Sequence, residues 1–454
     1  MSERLLVIGG DAGGMAAASQ AKKRRRDLDV VALEKGRWTS YSACGIPYLV
    51  GGDVGDIEEL VVRTPAQHRE LGIDARDRHE GMAIDLDRRE VEVRDLDGER
   101  TYRLGFDQLV IATGAVPRRP PLPGFDDHRV HGVQTLDDGA DLLAHAQKGD
   151  VRRVAVVGAG YIGLEIAEAF VKRGCQVTVV ERNVEVLPAT MDPDMSALVR
   201  TAMERHGIDV RTATSVDGFD GGALQTAAGP IEADLVVLGL GVAPNSKLAA
   251  EAGIELGAHD AVGVDIRQRT SADGVWAAGD CCESFHLVSH RKVHIALGTV
   301  ANKQGRVAGI NIGGGYATFP GVVGTAATKL CDTEIARTGL SEREAREAGF
   351  GYETATIEST TRAGYFPGAM PLTVKLLAER RDGRLLGAQI VGREGAAKRI
   401  DVLATALTAR FTVEEVLHLD LSYAPPFAPV WDPVLVAARK AWDVVVVNRE
   451  TRTG

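Results

Sequence analysis

The chain has 454 residues, of which 44% are hydrophobic and 26% charged; this composition is typical of a soluble globular protein and excludes a disordered one. Its formal net charge of -10 argues against a nucleic acid as the main partner, because phosphate binding requires a basic surface. A chain of this length predicts about three domains.

The cysteine count and the apolar runs indicate a cytoplasmic protein. Five cysteines are too few, and odd in number, for a disulfide framework, which favours a reducing compartment. The sequence enters a strand directly after Met1, so we expect no leader peptide. The long apolar run at residues 434–447 is interrupted by charged side chains, so we expect no membrane span. No pattern predicts a metal site.

The first predicted unit is a strand at residues 5–8, a glycine-rich turn, a helix at residues 15–23 and a second strand at residues 30–33. This order is typical of a dinucleotide site. The glycines let the backbone approach a pyrophosphate, and the helix N-terminus stabilises the negative charge of that pyrophosphate. The acid after the second strand accepts a hydrogen bond from a ribose hydroxyl. One departure weakens the pattern, because Asp11 stands where a glycine is usual. The residues predicted to bind this nucleotide are Gly9, Asp11, Ala12, Gly14, Glu34 and Lys35.

A basic run at residues 22–26 ends the first helix of an otherwise acidic protein. Cations complement the dipole at a helix C-terminus, so one interpretation is a solvated helix end. The other is that Lys22, Lys23 and Arg26 dock a phosphorylated substrate. Both interpretations stay open from the residues alone.

The stretch at residues 41–48 contains a lone cysteine, Cys44. Only a thiolate is a good nucleophile, so a reactive cysteine needs an electropositive environment. Pro47 fits the first turn of a helix, and a helix beginning near Gly45 would direct free N–H groups at the sulfur. We therefore predict that Cys44 is the redox-active thiol, although a small buried hydrophobe is the ordinary interpretation of a cysteine.

A buried strand at residues 109–114 ends in Thr113 and Gly114, which we assign to the first nucleotide site. The proline-rich residues 116–123 then predict a linker and a domain boundary. Further along, residues 275–280 predict a strand followed by an acidic turn, Gly279 and Asp280, which suits a ribityl chain.

A second unit repeats the first with all three glycines present. A strand at residues 154–157 leads into the glycine turn, a helix ends near Lys172, and a strand at residues 176–180 ends at Glu181. Glu181 favours NADH because a carboxylate repels a 2′-phosphate, while Arg182 keeps NADPH possible. Two nucleotide sites indicate an electron relay. The residues assigned to the second site are Gly158, Gly160, Tyr161, Ile162, Gly163, Glu181 and Gly241.

Beyond about Thr325 the pattern is strand-rich α+β. Asp382 and Gly383 predict a hairpin between strands at residues 372–377 and 385–390, and a helix follows at residues 396–409. No nucleotide-binding pattern occurs here, so we predict an oligomerisation domain. The predicted fold class is α/β, with two Rossmann-like dinucleotide-binding domains and an α+β C-terminal domain.

The two glycine units, Thr113-Gly114, Gly279-Asp280 and the C-terminal domain resemble the FAD-dependent pyridine nucleotide-disulfide oxidoreductases over nearly the whole chain. The cysteine stretch, with residues 423–427, is similar to the coenzyme A disulfide reductases, which have NADH oxidases as near relatives. Dithiol members of the family carry a second cysteine three or five positions after the first. Pro47 and Leu49 occupy those positions here, so a dithiol mechanism is excluded.

The resemblance implies an FAD-binding domain at residues 1–118 and 250–324, an NAD(P)H-binding domain at 119–249, and a dimerisation domain at 325–454. It implies a homodimer in which Tyr365 and Tyr423 reach the partner's cysteine, and Cys44 forms a mixed disulfide with coenzyme A. The residues matched to coenzyme A binding are Lys22, Lys23, Arg26 and Arg306 for its phosphates, and Tyr41, Ser42 and Asn302 for its pantetheine channel.

The implied activity is reduction of coenzyme A disulfide, or of a related mixed disulfide or persulfide, by NAD(P)H through FAD and Cys44. One alternative is an NAD(P)H oxidase in which Cys44 cycles through a sulfenic acid. A persulfide or polysulfide reductase is a third alternative, somewhat less favoured because we expect no rhodanese domain after Gly454. A flavoprotein that hands electrons to a protein partner is the alternative outside enzymes.

Overall fold

The computed structural model describes the backbone of residues 2–453, together with all their side chains except those of Lys148 and residues 448–453. The first segment begins with a buried strand and a helix of small residues, as the sequence predicts, and the helix starts at Ala12 directly after the glycine turn. The elements of this segment are β1 Arg4–Ile8, α1 Ala12–Arg24, β2 Asp29–Leu33, α2 Ile46–Gly51, α3 Pro65–Glu70, β3 Asp74–Arg76, β4 His79–Asp85, β5 Glu90–Asp95, β6 Arg100–Gly105 and β7 Gln108–Ile111.

The second segment repeats the strand and helix order around a parallel sheet in the order β12-β11-β10-β16-β9. A small antiparallel sheet, β13-β14-β15, covers it. The elements are β8 Ala115–Pro117, β9 Val130–His131, α4 Leu136–Lys148, β10 Arg153–Val157, α5 Tyr161–Lys172, β11 Gln176–Val180, α6 Pro193–Arg205, β12 Asp209–Arg211, β13 Val216–Asp220, β14 Ala223–Thr226, β15 Ile231–Glu232, β16 Leu235–Leu238, β17 Val242–Pro244 and α7 Lys247–Glu251.

The predicted linker at residues 116–123 is not wholly irregular, which corrects the sequence interpretation. Strand β8 pairs antiparallel with β17, so the two chain crossings between the first and second segments form a ribbon. Pro117 and Pro244 lie at strand ends, where a missing N–H is tolerated. Strand β17, which is distant in sequence, therefore orders residues whose composition alone predicts a linker.

After the second segment the chain returns to the first sheet. Strand β18 joins β7, which completes a five-stranded parallel sheet in the order β18-β7-β1-β2-β3. Helix α8 then packs lengthwise on α1, where a Cβ added at Gly309 would lie 2.2 Å from Ala17 O, so only glycine permits this approach. The elements are β18 Val275–Ala277, β19 Ser284–Phe285, β20 Lys292–Val293 and α8 Gly298–Ile312.

The C-terminal segment is an antiparallel sheet in the order β21-β22-β25-β24-β23, packed against helices. The predicted hairpin at Asp382 and Gly383 joins β24 to β25, and Gly383 has the positive φ of 77° that such a turn needs. The elements are β21 Ala326–Leu330, β22 Thr333–Gly339, α9 Glu342–Glu347, β23 Tyr352–Thr360, β24 Pro371–Glu379, β25 Leu385–Gly392, α10 Ile400–Ala409, α11 Val413–Leu417 and α12 Pro433–Thr453.

The architecture has the predicted class, with two parallel Rossmann-like sheets and an antiparallel C-terminal domain. The exact domain limits stay a prediction, which the membership of the sheets supports. Within residues 2–453, no helix combines the length and apolar character required to cross a membrane.

Candidate active site

The first glycine turn is a cradle into which no side chain fits. Gly9 has a φ of 113°, and a Cβ there would lie 2.0 Å from Ala112 O. A Cβ on Gly14 would lie 1.9 Å from Gly9 O, so helix α1 begins against the end of β1. This close approach exposes the backbone N–H groups at the start of α1, including that of Ala12, to a phosphate ligand.

Two carboxylates flank this turn. Glu34 accepts hydrogen bonds from the N–H groups of Gly10 at 2.8 Å and Gly36 at 2.7 Å. Asp11 accepts from the Tyr41 N–H at 3.1 Å, and burial, with the charge of Glu34 nearby, raises the pKa of Asp11 to about 6. Each carboxylate oxygen keeps a free lone pair, so both acids can still accept hydrogen bonds from the hydroxyl groups of a ligand.

Asp280 completes the acidic lining. Burial raises its pKa, and its Oδ1 is buried without a hydrogen-bond partner in the described part of the chain. A buried polar atom of this kind needs a donor, and hydroxyl groups of a bound ligand would supply one. The glycine cradle and these acids therefore fit the phosphates and the ribose and ribityl hydroxyls of FAD.

Other predicted residues of this site have roles in the protein itself. Thr113 donates to Asn245 O at 2.5 Å, and Gly114 O accepts from the Asn245 N–H at 2.9 Å, which ties the site to the second segment. The Gly279 N–H donates to the side chain of Gln304 at 3.0 Å. Lys35 is exposed and pairs with Glu80. The sequence analysis missed Asn245 and Gln304, because amides acting across long sequence separations carry no local signal.

The second glycine turn has the same construction. A Cβ on Gly158 would lie 2.5 Å from Gly239 O, and a Cβ on Gly163 would lie 2.0 Å from Gly158 O. In contrast, the nearest atom to a Cβ on Gly160 is 3.8 Å away, so this glycine has open space in front of it. That opening, at the start of the twelve-residue helix α5, suits a pyrophosphate.

Glu181 is buried and held by the turn. It accepts from the Ala159 N–H at 3.0 Å and from the backbone and side-chain N–H groups of Asn183 at 2.9 and 2.6 Å. The sequence analysis did not identify Asn183. Arg182 is exposed. The remaining predicted residues lie as follows: Tyr161 and Ile162 open α5, and Gly241 has a positive φ of 76° with no atom near its missing Cβ.

Cys44 lies immediately before helix α2, as the sequence predicts. Residues Ala43–Gly45 form one turn of 3-10 helix, α2 begins at Ile46, and Pro47 is in its first turn. The segment is fixed by Leu60, whose carbonyl accepts from Ser42 at 2.8 Å and whose side chain fills the space where Gly45 lacks a Cβ.

The electrostatics at Cys44 differ from the prediction. The residue as a whole is exposed, yet the surrounding chain excludes water from the thiol and raises its pKa. The carboxylates of Glu165, Asp280 and Asp11 add to this rise, and the backbone N–H of Cys44 lowers the pKa by less. The short helix alone therefore does not make the thiol acidic, because burial, together with the smaller effect of the acids, outweighs its N–H groups.

Cys44 is the exposed member of the five free cysteines. Cys281 and Cys282 are buried, while Cys175 and Cys331 are half-buried. Pro47 and Leu49, at the positions of a second thiol in dithiol enzymes, are buried core residues of α2. No described cysteine is therefore placed to form a disulfide with Cys44.

The structure brings Tyr365 and Tyr423 together. Both are exposed, and a hydrogen bond with Tyr365 raises the pKa of the Tyr423 hydroxyl. Neither hydroxyl is hydrogen-bonded to Cys44 of the same chain in residues 2–453. The pair instead faces solvent with Phe427 and Trp431, which are 74% and 50% exposed.

The predicted phosphate-binding residues separate into two groups. The Lys22 ammonium donates to Arg26 O at 3.0 Å and Leu28 O at 2.7 Å, so it closes the end of α1. The side chains of Lys23, Arg26 and Arg306 are exposed. Arg306 also lines a cavity of about 410 Å³ between α8 and the 318–325 segment.

The predicted pantetheine residues lie on α8 and in the segment that precedes α2. Asn302 is exposed on α8 and donates to Gly298 O at 3.0 Å, while Ser42 is exposed beside Cys44. Tyr41 is half-buried, and burial raises the pKa of its hydroxyl. Tyr41 therefore stays a neutral hydroxyl at neutral pH.

Comparisons with known proteins agree with this geometry. The family model described as pyridine nucleotide-disulphide oxidoreductase matches residues 3–305, and the dimerisation-domain model of the same family matches residues 325–433. A CoA-dependent NAD(P)H sulfur oxidoreductase of Pyrococcus abyssi is 39% identical over 447 residues, which are 97% of this chain and 98% of the relative.

Two further relatives extend the comparison. A coenzyme A disulfide reductase of Staphylococcus aureus is 28% identical, with 96% of this chain and 99% of the relative covered. The structure of an NAD-dependent persulfide reductase from A. fulgidus superposes with a TM-score of 0.94 at 38% identity, covering 99% of this chain and 84% of that one. The chain therefore belongs to the pyridine nucleotide-disulphide oxidoreductase family, as an FAD-dependent NAD(P)H oxidoreductase of the coenzyme A disulfide reductase group.

Proposed function

We propose that this enzyme uses NAD(P)H to reduce disulfides or persulfides of coenzyme A, with Cys44 as the thiol that exchanges with the substrate. The observation that carries the proposal is the single exposed thiol before α2, with buried Pro47 and Leu49 at the positions of a second cysteine. Because no second cysteine occupies the dithiol positions, exchange with a disulfide substrate would leave Cys44 in a mixed disulfide with that substrate. The CoA-dependent relatives support coenzyme A as that substrate.

The exchange at Cys44 balances for both substrates. The thiolate attacks the substrate sulfur attached to coenzyme A and forms a Cys44–coenzyme A disulfide. The leaving group is a coenzyme A thiolate when the substrate is the disulfide, and HS⁻ when it is the persulfide. The residues around the first glycine turn would hold FAD, which would supply the two electrons, taken from NAD(P)H, that cleave this mixed disulfide. Cys44 then leaves as a thiolate, and the coenzyme A thiolate takes a proton.

The raised pKa of Cys44 makes proton transfer part of this chemistry. A thiol that is mostly protonated at neutral pH needs a base before its attack and a proton donor for the leaving thiolate. We assign that role to Tyr365 and Tyr423, which reach the cysteine of the partner subunit in a homodimer. Their exposure on the dimerisation domain and their mutual hydrogen bond support this assignment.

The nucleotide portion of coenzyme A would bind to the exposed cations Lys23, Arg26 and Arg306, while Lys22 is held by the carbonyls of Arg26 and Leu28. Its pantetheine arm would pass Tyr41, Ser42 and Asn302 to reach Cys44. The contact between α1 and α8 supports this route, because it sets the basic run and Arg306 on adjacent parallel helices.

We expect NADH to be a more efficient electron donor than NADPH. Glu181 is buried and fixed by the turn, so its carboxylate cannot swing away from a 2′-phosphate. Charge repulsion of this kind corresponds to a factor of about ten or more in kcat/KM. Initial rates with NADH and NADPH measure the ratio, and a clear preference for NADPH would assign the selectivity to Arg182.

Anaerobic assays with separate substrates test the main proposal. NADH oxidation is followed with coenzyme A disulfide, coenzyme A persulfide and glutathione disulfide, for the native enzyme and Cys44→Ser. We expect turnover with the coenzyme A compounds, loss of that turnover in Cys44→Ser, and retention of flavin reduction by NADH in the variant. Turnover by the native enzyme with oxygen alone would instead identify an oxidase.

Intact-mass analysis provides an independent reading. The native enzyme, incubated with coenzyme A disulfide, is expected to gain one coenzyme A mass that a reducing agent removes. Cys44→Ser should gain none. An adduct that forms equally on both proteins would locate the exchange at another cysteine and contradict the proposal.

A further inference from the structure

The loops that carry the two tyrosines are held by one buried arginine. Arg399 precedes α10, and its side chain is 12% exposed. One of its terminal nitrogens, Nη2, donates to Thr361 O at 2.7 Å and to Phe427 O at 2.8 Å. Thr361 begins the loop of Tyr365, and Phe427 follows Tyr423, so a single nitrogen joins both loops.

The rest of the guanidinium is fixed as well. Nη1 donates to Gly395 O at 2.8 Å, and Nε pairs with Asp432 Oδ2 at 3.2 Å, where the Asp432 side chain is 13% exposed. A planar guanidinium that is held by hydrogen bonds on several edges can adopt only one orientation. The position of the two loops is therefore set by a group anchored in the helical layer of the dimerisation domain.

The loops also meet each other directly at one backbone contact. The Ala363 N–H donates to Pro425 O at 3.1 Å, and the first loop is closed by the Thr361 N–H bonded to Met370 O at 2.8 Å. Beyond this contact the tyrosine side chains project into solvent, with Tyr365 78% exposed. Within a single chain little packs against so exposed a pair, so the loop anchors set the register of the two tyrosines.

We propose that Arg399 is the positioning residue of the tyrosine pair and sets the register in which Tyr365 and Tyr423 meet. This rests on the proposed function only for its consequence in catalysis, since the contacts of Arg399 belong to the fold. Arg399 touches no reacting atom and acts through the two loops. A lysine at this position keeps the charge opposite Asp432 but has a single nitrogen in place of three, so it joins the loops less completely.

A double-mutant cycle tests the proposal in the native dimer. Arg399→Met removes the donors and keeps the aliphatic stem; it should lower kcat for coenzyme A disulfide or persulfide about tenfold, because misplacing a catalytic group by a fraction of an ångström is costly. Flavin reduction by NADH should stay within about twofold of native, since it needs neither tyrosine. On a Tyr423→Phe background Arg399→Met should add little. Unchanged kcat, or two effects that multiply, would overturn the proposal.

A spectroscopic readout separates this proposal from the proposed function. In protein labelled with fluorotyrosine, the ¹⁹F signal of Tyr423 is identified by its loss in Tyr423→Phe. Arg399→Met should lower the apparent pKa of this signal, because the hydrogen bond that the Tyr423 hydroxyl donates to Tyr365, which raises its pKa, is lost. No substrate is needed, so the result stands even if coenzyme A compounds are not turned over. A Tyr423 titration identical to native would overturn the proposal.

The matched control is Arg384→Met. Arg384 is a similarly buried arginine of the same domain, 18% exposed, which pairs with Glu379. Its loss should cost stability without changing the Tyr423 titration, whereas an equal change in both variants would overturn the assignment. If Arg399→Met does not fold, Arg399→Lys is measured instead. A native kcat and a native Tyr423 titration in that variant would then overturn the proposal.

Discussion

Several acidic side chains surround the first glycine turn, and without a bound ligand their negative charges repel one another. Asp11 shows the result most clearly, because burial and the charges of Glu34 and Asp280 raise its pKa from 3.8 to about 6. A carboxyl group whose pKa is higher in the folded state binds protons more tightly there than when unfolded. Its contribution to stability is therefore lost as pH rises from about 4 to 6.

Asp11→Asn is accordingly expected to stabilise the cofactor-stripped protein at pH 7. A pKa shift of this size corresponds to roughly 1 to 3 kcal/mol of unfolding free energy, and the gain should shrink towards pH 4.5. Asparagine can still accept from the Tyr41 N–H. Urea unfolding at the two pH values measures the effect, with the exposed Asp87→Asn as control. Equal stability of Asp11→Asn and native protein at pH 7 would contradict the assigned pKa.

The position of Cys44 before a helix is determined by neighbouring residues, whereas its reactivity depends on residues distant in the sequence. The helix start that follows it is encoded by neighbouring residues. Its pKa is raised by burial, and further by Asp11 before α1, Glu165 on α5 and Asp280 in the turn after β18. The thiol needs assistance that a short helix does not supply. This requirement is the physical reason for assigning proton transfer to the tyrosine pair.

At the scale of elements, the glycines of one turn have different tasks. Gly163 lets α5 approach β10, and a Cβ there would lie 2.0 Å from Gly158 O. Gly160 has a φ of -81°, which any residue adopts, and 3.8 Å of free space. One glycine is thus required by the fold, and the other is positioned to leave room for a ligand.

Alanine substitutions separate these tasks. Gly163→Ala should destabilise the protein by about 1 to 3 kcal/mol through overpacking. Gly160→Ala should leave the unfolding free energy within about 0.5 kcal/mol of native but raise KM for NADH several-fold. Thermal unfolding and initial rates measure both quantities. The assignment fails if Gly160→Ala is the less stable variant or binds NADH normally.

The end of α1 combines a structural cation with exposed ones. Lys22 donates to the carbonyls of Arg26 and Leu28, which lie in the turn that follows α1. Lys23 and Arg26 are exposed. The two interpretations of the basic run therefore apply to different residues of it.

Single and double substitutions distinguish them. Lys22→Ala should lower the unfolding free energy by about 0.5 to 1.5 kcal/mol per lost hydrogen bond. Lys23→Ala with Arg26→Ala should leave stability unchanged but raise KM for coenzyme A disulfide, and added salt should raise the KM of native enzyme in parallel. A KM insensitive to both changes would return the entire run to a solvated helix end.

At the scale of the whole molecule, a buried lysine joins the nucleotide-binding and C-terminal segments. Lys375 on β24 is 2% exposed and binds Asp194 at 2.7 Å, Glu342 at 2.6 Å and Asp192 at 3.2 Å. The three acids lie close enough together to suggest a cation site, but the ammonium already occupies their centre. Their pairing with Lys375 fixes the start of α6 against the antiparallel sheet.

Removal of this ammonium leaves three acids without a counter-ion. Lys375→Met should destabilise the protein by about 3 to 5 kcal/mol, because breaking a buried pair exposes the full cost of the remaining charge. Lys329→Met is the control; Lys329 is 43% exposed and lies 3.6 Å from Glu168, so its loss should cost under about 1 kcal/mol. Calorimetry measures the loss of unfolding free energy in both variants. Similar losses would contradict the role of Lys375 in joining the nucleotide-binding and C-terminal segments.

The sequence by itself determined the features that depend on neighbours in the chain. The glycine turns, the acids at the ends of β2 and β11, and the proline after Cys44 all lie within single strand–turn–helix units. Each reflects a local steric or hydrogen-bonding requirement, so spacing alone revealed it. The two Rossmann-like sheets follow from these units, and the C-terminal domain follows from its strand-rich pattern with the hairpin at Asp382 and Gly383.

Only the tertiary structure decided what depends on residues far apart in sequence. The pairing of β8 with β17, the raised pKa of Cys44 and the meeting of Tyr365 with Tyr423 each join segments that no local pattern connects. Arg399 is the clearest case, since its sequence context is that of an ordinary helix start. Its contacts exist because folding brings two loop carbonyls from distant parts of the sequence to one guanidinium.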